Sequence, residues 1–153
     1  MCYFRHTLTC FLPIHDPLLI AFEIAKRVGN PTESRDMHKR IRDKVIAVGI
    51  KLAFKSNMKM RHGAVITSAT GKIVATGYNK RLHNLHEAYS IHAEQSAVNN
   101  MYRNCKNLPR NSMLHLFVIR VLENGSLGNS APCARCRTCI DNVRSIRKVF
   151  YSS

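Results

Sequence analysis

Two short clusters in this chain hold residue types that can bind a metal ion and move a proton. The first is H-A-E at residues 92–94, and the second is P-C-A-R-C at residues 132–136. One imidazole nitrogen and two thiolates occupy three positions of a tetrahedral Zn²⁺ and leave the fourth open for water or substrate. Structural zinc sites fill all four positions with protein ligands, so the ligand count favours a catalytic site. The predicted metal ligands are His92, Cys133 and Cys136.

Glu94 is predicted to be the catalytic proton carrier beside these ligands. It follows His92 by two residues, which on a helix turns it about 200° away, so its carboxylate does not bind the same ion head-on. Its side chain is long enough to reach a water molecule held by the ion, and Zn²⁺ lowers the pKa of such a water to about 7. We therefore expect Glu94 to take a proton from that water and to pass it to the substrate.

The local position of the two cysteines strengthens their assignment as ligands. Pro132 is predicted to open a helix, and the unpaired N–H groups and positive end of a helix N-terminus favour thiolate over thiol. Cys133 and Cys136 are three residues apart, so both sulfurs are expected on one face of the first turn. His92 also falls in the first turn of a predicted helix, for which Ser90 is the candidate N-cap residue.

Hydrophobic periodicity and turn residues predict the elements that position these clusters. The order is a helix, two hairpin strands, a helix, a strand, a helix and a strand, predicted at residues 35–56, 63–67, 72–78, 90–103, 114–122, 132–143 and 148–151. The run at 114–122 is almost continuously apolar, which is typical of a strand buried on both faces. Alternating strands and helices after a hairpin predict an α/β domain with a mixed sheet covered by helices.

The two clusters belong to a longer pattern that resembles the zinc-dependent cytidine and deoxycytidylate deaminase superfamily. The resemblance runs from about residue 44 to 151 and includes G-A-V-I at 63–66 and G-K-I-V-A-T-G-Y-N at 71–79, followed by H-x-E and P-C-x-x-C. It implies a three-layer α/β/α sandwich with Zn²⁺ as the cofactor. It also implies hydrolytic deamination of a nucleobase, with a cytosine-type base in a nucleoside or nucleotide as the favoured substrate and ammonia as a product.

The resemblance also implies which residues contact the substrate. Asn79 matches the asparagine of a G-x-N motif that helps to hold the sugar or the base in relatives. The backbone at Ala93, Ser130 and Ala131 is expected to face the substrate. Without the resemblance, Asn79 is almost equally well explained as a turn residue that ends a strand. Ser130-Ala131 stand where tRNA adenosine deaminases commonly have the glutamate of E-P-C-x-x-C, which argues against that subgroup.

The charge of the chain points to phosphates. Lys and Arg number 24 against 9 Asp and Glu, giving a net charge of +15. Arg40, Lys44, Lys51 and Lys55 share one face of the first predicted helix, and we call this face the basic stripe. Such a stripe is either a solvated surface or an attraction for the phosphates of a nucleotide or a nucleic acid. A nucleic-acid-editing deaminase acting on RNA or DNA is therefore an alternative function.

Other histidines and cysteines leave alternatives open. His62, His83 and His86 are alternative groups for metal binding or proton transfer, and the last two are expected at the mouth of a pocket. Cys139 is either a small buried residue or a ligand of a second metal. If Cys139 or Cys105 were a fourth ligand of the first ion, the site would be structural. The chain would then be a non-catalytic zinc-containing module that binds nucleic acid.

Length and composition predict one catalytic domain at residues 35–153 after an N-terminal extension at 1–34 with an extra helix near 17–28. No apolar run approaches the roughly 18 residues of a membrane span, so no membrane partner is expected. Six cysteines without an evident export signal predict an intracellular location, cytoplasmic or nuclear. Residues 104–113 are predicted to be an insertion, either a substrate gate or a plain loop. The resemblance implies a homo-oligomer.

Overall fold

A computed structural model of the chain describes residues 39–82, 89–105, 108–109 and 111–153. The predicted N-terminal extension at 1–34 and its helix lie outside the described residues, as do the histidines at positions 83 and 86. The domain boundary at residue 34 therefore stays a prediction.

The described residues form helices and strands in the predicted order, with three short strands added. The helices are α1 (Lys39–Ala53), α2 (Ala93–Asn104) and α3 (Ala134–Asp141). The strands are β1 (Arg61–Ser68), β2 (Ile73–Tyr78), β3 (Lys80–Arg81), β4 (Ser90–Ile91), β5 (Leu114–Val121), β6 (Leu127–Gly128) and β7 (Ile146–Tyr151). None of these helices is both long and apolar enough to cross a lipid bilayer.

Strands β1 and β5 form the centre of one mixed sheet. β1 pairs antiparallel with β2 as a hairpin and, along its other edge, antiparallel with β5. β5 pairs parallel with β7, and the end of β5 pairs antiparallel with the short β6. The hairpin and the mixed sheet confirm the predicted α/β class.

Helices cover both faces of this sheet, as the apolar run of β5 predicts. Leu116 and Val118 pack with residues of α2 and α3 on one face, whereas Phe117 and Ile119 pack with residues of α1 on the other. Phe117 also stacks on Phe150 of β7, with the ring centroids 4.8 Å apart. Because alternate residues of β5 are buried on opposite sides, the described residues form the predicted three-layer α/β/α sandwich.

The start of α2 differs from the prediction. Ser90 does not cap this helix, because it belongs to β4, whose backbone pairs with Arg81 of β3. The chain stays extended as far as His92, which is the N-cap residue with φ −74° and ψ 156°. Cys133 is likewise the N-cap residue of α3, with φ −69° and ψ 167°. Two of the predicted metal ligands therefore lie just before a helix rather than within its first turn.

Helix α2 packs very closely on β2 at Gly77. A Cβ atom at Gly77 would overlap the backbone nitrogen of Ala97 and would lie 2.6 Å from the carbonyl oxygen of Ala93. Glycine at this position therefore lets the backbone of α2 rest directly on the strand. The contact determines where the start of α2 lies, and that start carries His92 and Glu94.

Gly77→Ala is expected to destabilise the protein by about 1–3 kcal/mol, because the backbone of α2 cannot turn aside from the added methyl group. Gly128→Ala is the matched control, since its Cβ would meet the side chain of Leu122 at 2.7 Å and a side chain can rotate away. Thermal and denaturant unfolding of both variants measures the difference. Equal losses of stability in the two variants would contradict this account of the contact between α2 and β2.

Candidate active site and metal centre

The three predicted metal ligands come together at the N-termini of α2 and α3. The Nδ1 atom of His92 lies 3.3 Å from the Sγ atom of Cys136 and 3.7 Å from the Sγ atom of Cys133. All three ligand atoms lie within 4.8 Å of one another. The fold thus brings the ligands from the two sequence clusters into one group, which we call the ligand cluster.

The ligand cluster has the dimensions of a tetrahedral zinc site. With Zn–N and Zn–S bonds of about 2.05 and 2.3 Å, a nitrogen and a sulfur on one tetrahedral Zn²⁺ lie about 3.6 Å apart. The two observed separations, 3.3 and 3.7 Å, fall on either side of this value. The residues present therefore fit a zinc ion held by the Nδ1 atom of His92 and by two thiolates.

No fourth protein ligand joins this cluster among the residues that the structure describes. Cys139 instead packs against the hydrophobic core beneath α2 and α3. Cys105 lies at the other end of α2, where its thiol is 3.6 Å from the carbonyl oxygen of Val74. Neither cysteine occupies the position that a closed structural site would require, which argues against the structural zinc module.

Burial opposes ionisation of the Cys136 thiol when no metal is bound. It is the largest cause of a raised pKa at Cys136, and the negative charge of Glu94 and the neighbouring Cys133 raise that pKa further. At Cys136, burial and these neighbours therefore outweigh the preference for thiolate that is expected at a helix N-terminus when no metal is bound. Metal binding must displace the thiol proton, so zinc affinity is coupled to proton release.

A cavity of about 230 Å³ lies directly beside the ligand cluster. Seven of the eight predicted site residues line its wall, and the eighth, Cys136, is buried. Four further residues complete the lining. The predicted residues in the wall are Asn79, His92, Ala93, Glu94, Ser130, Ala131 and Cys133, and the additional ones are Met58, Met60, His62 and Ser90.

Glu94 contacts both the ligand cluster and the cavity. It is in the first turn of α2, is only 6% exposed and lines the cavity wall. A hydrogen bond from the thiol of Cys136 to its carboxylate contributes to the raised pKa of that thiol. Glu94 is nevertheless outside the group of metal ligands. A carboxylate in this position can exchange protons with a molecule in the cavity.

The side chain of Asn79 is engaged with the protein on both of its polar atoms. Its Oδ1 accepts the backbone N–H of His62 at 2.7 Å, and its Nδ2 donates to the carbonyl oxygen of Met60 at 2.6 Å. Only 6% of the residue is exposed. These bonds hold the segment from Met60 to His62 as one wall of the cavity, which gives Asn79 a structural task that the sequence motif did not indicate.

His62 is part of this wall but not of the ligand cluster. It was one of three histidines that the sequence left open for metal binding or proton transfer, and the structure places it in the cavity lining. Burial lowers its pKa, with the charges of Arg120 and His92 acting in the same direction and Glu94 acting against them. His62 is therefore mostly neutral near pH 7. The hairpin register, which puts Gly63 opposite Tyr78, could have shown that His62 lies beside Asn79.

A pair of buried serines anchors the loop that leads to Cys133. The Ser130 hydroxyl donates to the carbonyl oxygen of Val118 at 2.8 Å and accepts the backbone N–H of Ser152 at 2.9 Å. The backbone N–H of Ser130 donates to the carbonyl oxygen of Ser152 at 2.8 Å. Ser152 is completely buried, and its own hydroxyl donates to the carbonyl oxygen of Gly128 at 2.7 Å. These bonds tie one cavity wall to β5 and β6.

The insertion predicted at residues 104–113 begins at the opposite end of α2 from the ligand cluster. Helix α2 has 12 residues, which at about 1.5 Å per residue separates its two ends by about 18 Å. The described part of the insertion contributes to a different groove, together with the residues that follow α3. This position favours the plain loop over the substrate gate.

Comparison with known proteins identifies one protein family. The family model described as the cytidine and deoxycytidylate deaminase zinc-binding region matches residues 39–153. The match includes both sequence clusters and every described helix and strand. No curated protein matches the chain in sequence.

Solved structures of deaminases share the fold. The dCMP deaminase from the cyanophage S-TIM5 in apo form is 22% identical, with 74% of this chain and 82% of that chain covered and a TM-score of 0.57. The same enzyme in complex with dCMP and dUMP is 21% identical, with 74% and 81% covered and a TM-score of 0.57. Cytidine deaminase from Burkholderia pseudomallei is 18% identical, with 67% and 76% covered and a TM-score of 0.52.

His92→Ala and Cys133→Ser are each expected to lower the zinc content from about one ion per chain to a small fraction, since three ligands are the minimum for a catalytic zinc site. Cys139→Ser is the matched control and is expected to keep its zinc. Metal analysis of the purified proteins, together with the fall in unfolding temperature after chelation, measures the effect. Loss of zinc from Cys139→Ser would instead favour a site with a fourth protein ligand.

Proposed function

Because the chain belongs to the cytidine and deoxycytidylate deaminase zinc-binding family, we propose that it is a zinc-dependent hydrolytic deaminase of a cytosine-type base in a nucleoside or nucleotide. The observation that carries the proposal is the joint position of the ligand cluster and the Glu94 carboxylate on the wall of one cavity. A cluster of three ligands beside a proton carrier suits hydrolysis, whereas a closed site would suit a structural metal.

His92, Cys133 and Cys136 would hold the ion, and when bound it supplies Lewis acidity that makes water an effective nucleophile near neutral pH. Glu94 takes a proton from the attacking water and delivers it to the ring nitrogen of the base. It then moves the second proton to the departing amine. The oxygen of the water becomes the carbonyl oxygen at C4, and the amine leaves as ammonia.

The size of the cavity suits the base rather than the whole substrate. Pockets that enclose a drug-sized ligand occupy about 300–1,000 Å³, and this cavity is smaller at about 230 Å³. The sugar and anything attached to it would therefore lie at the mouth. The first N–H groups of a helix have no partner within the helix, so Ala93 can donate to the base. The backbone carbonyls of Ser130 and Ala131 are candidate acceptors for its amine, and Asn79 would keep the opposite wall in place.

Glu94→Gln tests the central role in this proposal. The variant is expected to keep its zinc, because Glu94 is not a ligand, and to lose about 10²- to 10⁴-fold in turnover, the usual contribution of a positioned acid–base group. Ammonia release should be measured over cytidine, deoxycytidine, their phosphates and adenosine. Asp141→Asn removes an exposed carboxylate from α3 and is the matched control. A fully active Glu94→Gln protein would reject the assignment.

A second candidate is a deaminase that acts on a nucleic acid, and the exposure of the basic stripe favours it. Arg40, Lys44 and Lys51 are exposed on α1, and Lys55 is exposed just after its end. None of these four residues lines the cavity, so a bound polynucleotide would have to extend across the surface of the domain. The predicted homo-oligomer would place two such surfaces in one particle.

The dependence of activity on salt concentration distinguishes the two candidate functions. For a single strand, the logarithm of the binding constant falls by about 0.7 per neutralised phosphate for each tenfold increase in salt concentration. Four contacts from the basic stripe would therefore reduce activity on a polynucleotide about 10- to 100-fold between roughly 50 and 200 mM salt. Lys44→Ala with Lys51→Ala should flatten this dependence, and Arg103→Ala on α2 is the control. Activity on mononucleotides that polynucleotides do not inhibit would oppose the second candidate.

A further inference from the structure

A second depression adjoins the active-site cavity, and we call it the rim groove. It has a volume of about 420 Å³ and is lined by Lys59, Met60, Arg120, Glu123 and their neighbours in β5 and the turn after it. Met60 lines both the rim groove and the cavity. The two depressions therefore share the Met60 side of their walls, which puts the rim groove within reach of a substrate whose base fills the cavity.

Strand register places Arg120 beside the cavity. Arg120 of β5 lies directly opposite His62 of β1, and His62 lines the cavity. Residues directly opposite each other in an antiparallel pair point to the same face, with Cβ atoms about 4.5–5.5 Å apart. The positive charge of Arg120 is close enough to help lower the pKa of His62. The side chain of Arg120 is therefore a direct neighbour of His62, a residue in the wall of the cavity where the base would bind.

The guanidinium of Arg120 retains hydrogen-bonding capacity. Its Nη1 donates to the carbonyl oxygen of Asn129 at a long 3.4 Å. Its Nε is buried and has no hydrogen-bond partner within the described parts of the chain. A buried donor without a partner is costly, and more so when the group is charged, so such a group points to a ligand that would satisfy it. A planar guanidinium is well suited to oxygen atoms of phosphate.

Lys59 supplies a second positive charge on the same rim. It stands between Met58 and Met60, which both line the cavity, and its own side chain is exposed at the rim groove. Glu123 also lines the groove and offsets part of the charge. The groove as a whole keeps a positive balance, which favours an anionic group attached to the substrate.

We propose that the rim groove binds a phosphate attached to the sugar of the substrate, between Lys59 and Arg120, so that the phosphorylated form of the base is preferred over the free nucleoside. This inference rests on the proposed deaminase function. The phosphate is either the monoester of a mononucleotide or the diester that follows the reactive base in a single strand. Both have the same charged oxygens, and the cavity takes only the base in either case.

The test compares cytidine, CMP and a short single-stranded oligonucleotide containing one cytosine. Turnover is measured as kcat/KM with the wild-type enzyme, and affinity is measured with the Glu94→Gln protein, which does not consume its ligand. We expect CMP or the oligonucleotide to exceed cytidine by about tenfold or more in both measurements, the usual worth of charge-assisted hydrogen bonds. Preference for CMP would indicate the monoester, and preference for the oligonucleotide would indicate the diester.

Substitutions of Lys59 and Arg120 then test whether these two residues bind the phosphate. Lys59→Ala and Arg120→Gln should each reduce the ratio of phosphorylated to unphosphorylated kcat/KM by about tenfold. Arg120→Lys keeps the charge without the planar fork and should have an intermediate effect. Arg103→Ala removes an exposed charge from α2 and should leave the ratio unchanged. Because each result is a ratio within one variant, partial loss of folded protein does not alter it.

Two outcomes would overturn the inference. Equal wild-type preference for cytidine and the phosphorylated forms would reject the rim groove and leave the deaminase function intact. An unchanged ratio in both Lys59→Ala and Arg120→Gln would also reject it, since the phosphate would then bind elsewhere. If no substrate were turned over but Glu94→Gln still bound CMP more tightly than cytidine, the deaminase function would fail and the phosphate site would stand.

Discussion

The structure depends on holding one imidazole and two sulfurs close together although they come from distant parts of the chain. His92 and Cys133 are N-cap residues and Cys136 lies in the first turn of α3, so the positions of two helix ends determine the geometry of the ligand cluster. Gly77 lets α2 rest directly on β2. At the other helix, the bonds between Ser130 and Ser152 tie the loop before α3 to the sheet. A rigid three-layer core is thus what makes a local metal site possible.

The same burial that makes the cluster rigid makes it electrostatically unfavourable without a metal. Glu94 is buried beside Cys136, and both its charge and the low polarity of the surroundings raise the pKa of that thiol. A divalent cation reverses this situation, because its charge favours two thiolates and compensates the nearby carboxylate.

Features that depend on residues close together in the sequence could be predicted, whereas contacts between distant segments of the chain could not. The ligands and Glu94 follow from short patterns, and β5 follows from its apolar run. The start of α2 was misplaced because Ser90 pairs with Arg81, and nothing near Ser90 reveals that pairing. The parts of the wall formed by His62 and Met60 depend on the register of the hairpin. Ser152 helps to anchor the loop before α3 only through its hydrogen bonds with Ser130, which lies far from it in sequence.

The hydrogen bonds between Asn79 and the 60–62 segment connect the wall of the cavity with the rim groove. Asn79 matches a motif associated with substrate binding, yet its amide already bonds to Met60 and His62. Met60 lines both depressions, and His62 stands opposite Arg120. An amide that fixes this segment positions the wall against the base and the rim groove at once. Under the proposed function, Asn79 would therefore act on substrate binding through the wall it holds, with both polar atoms of its side chain occupied.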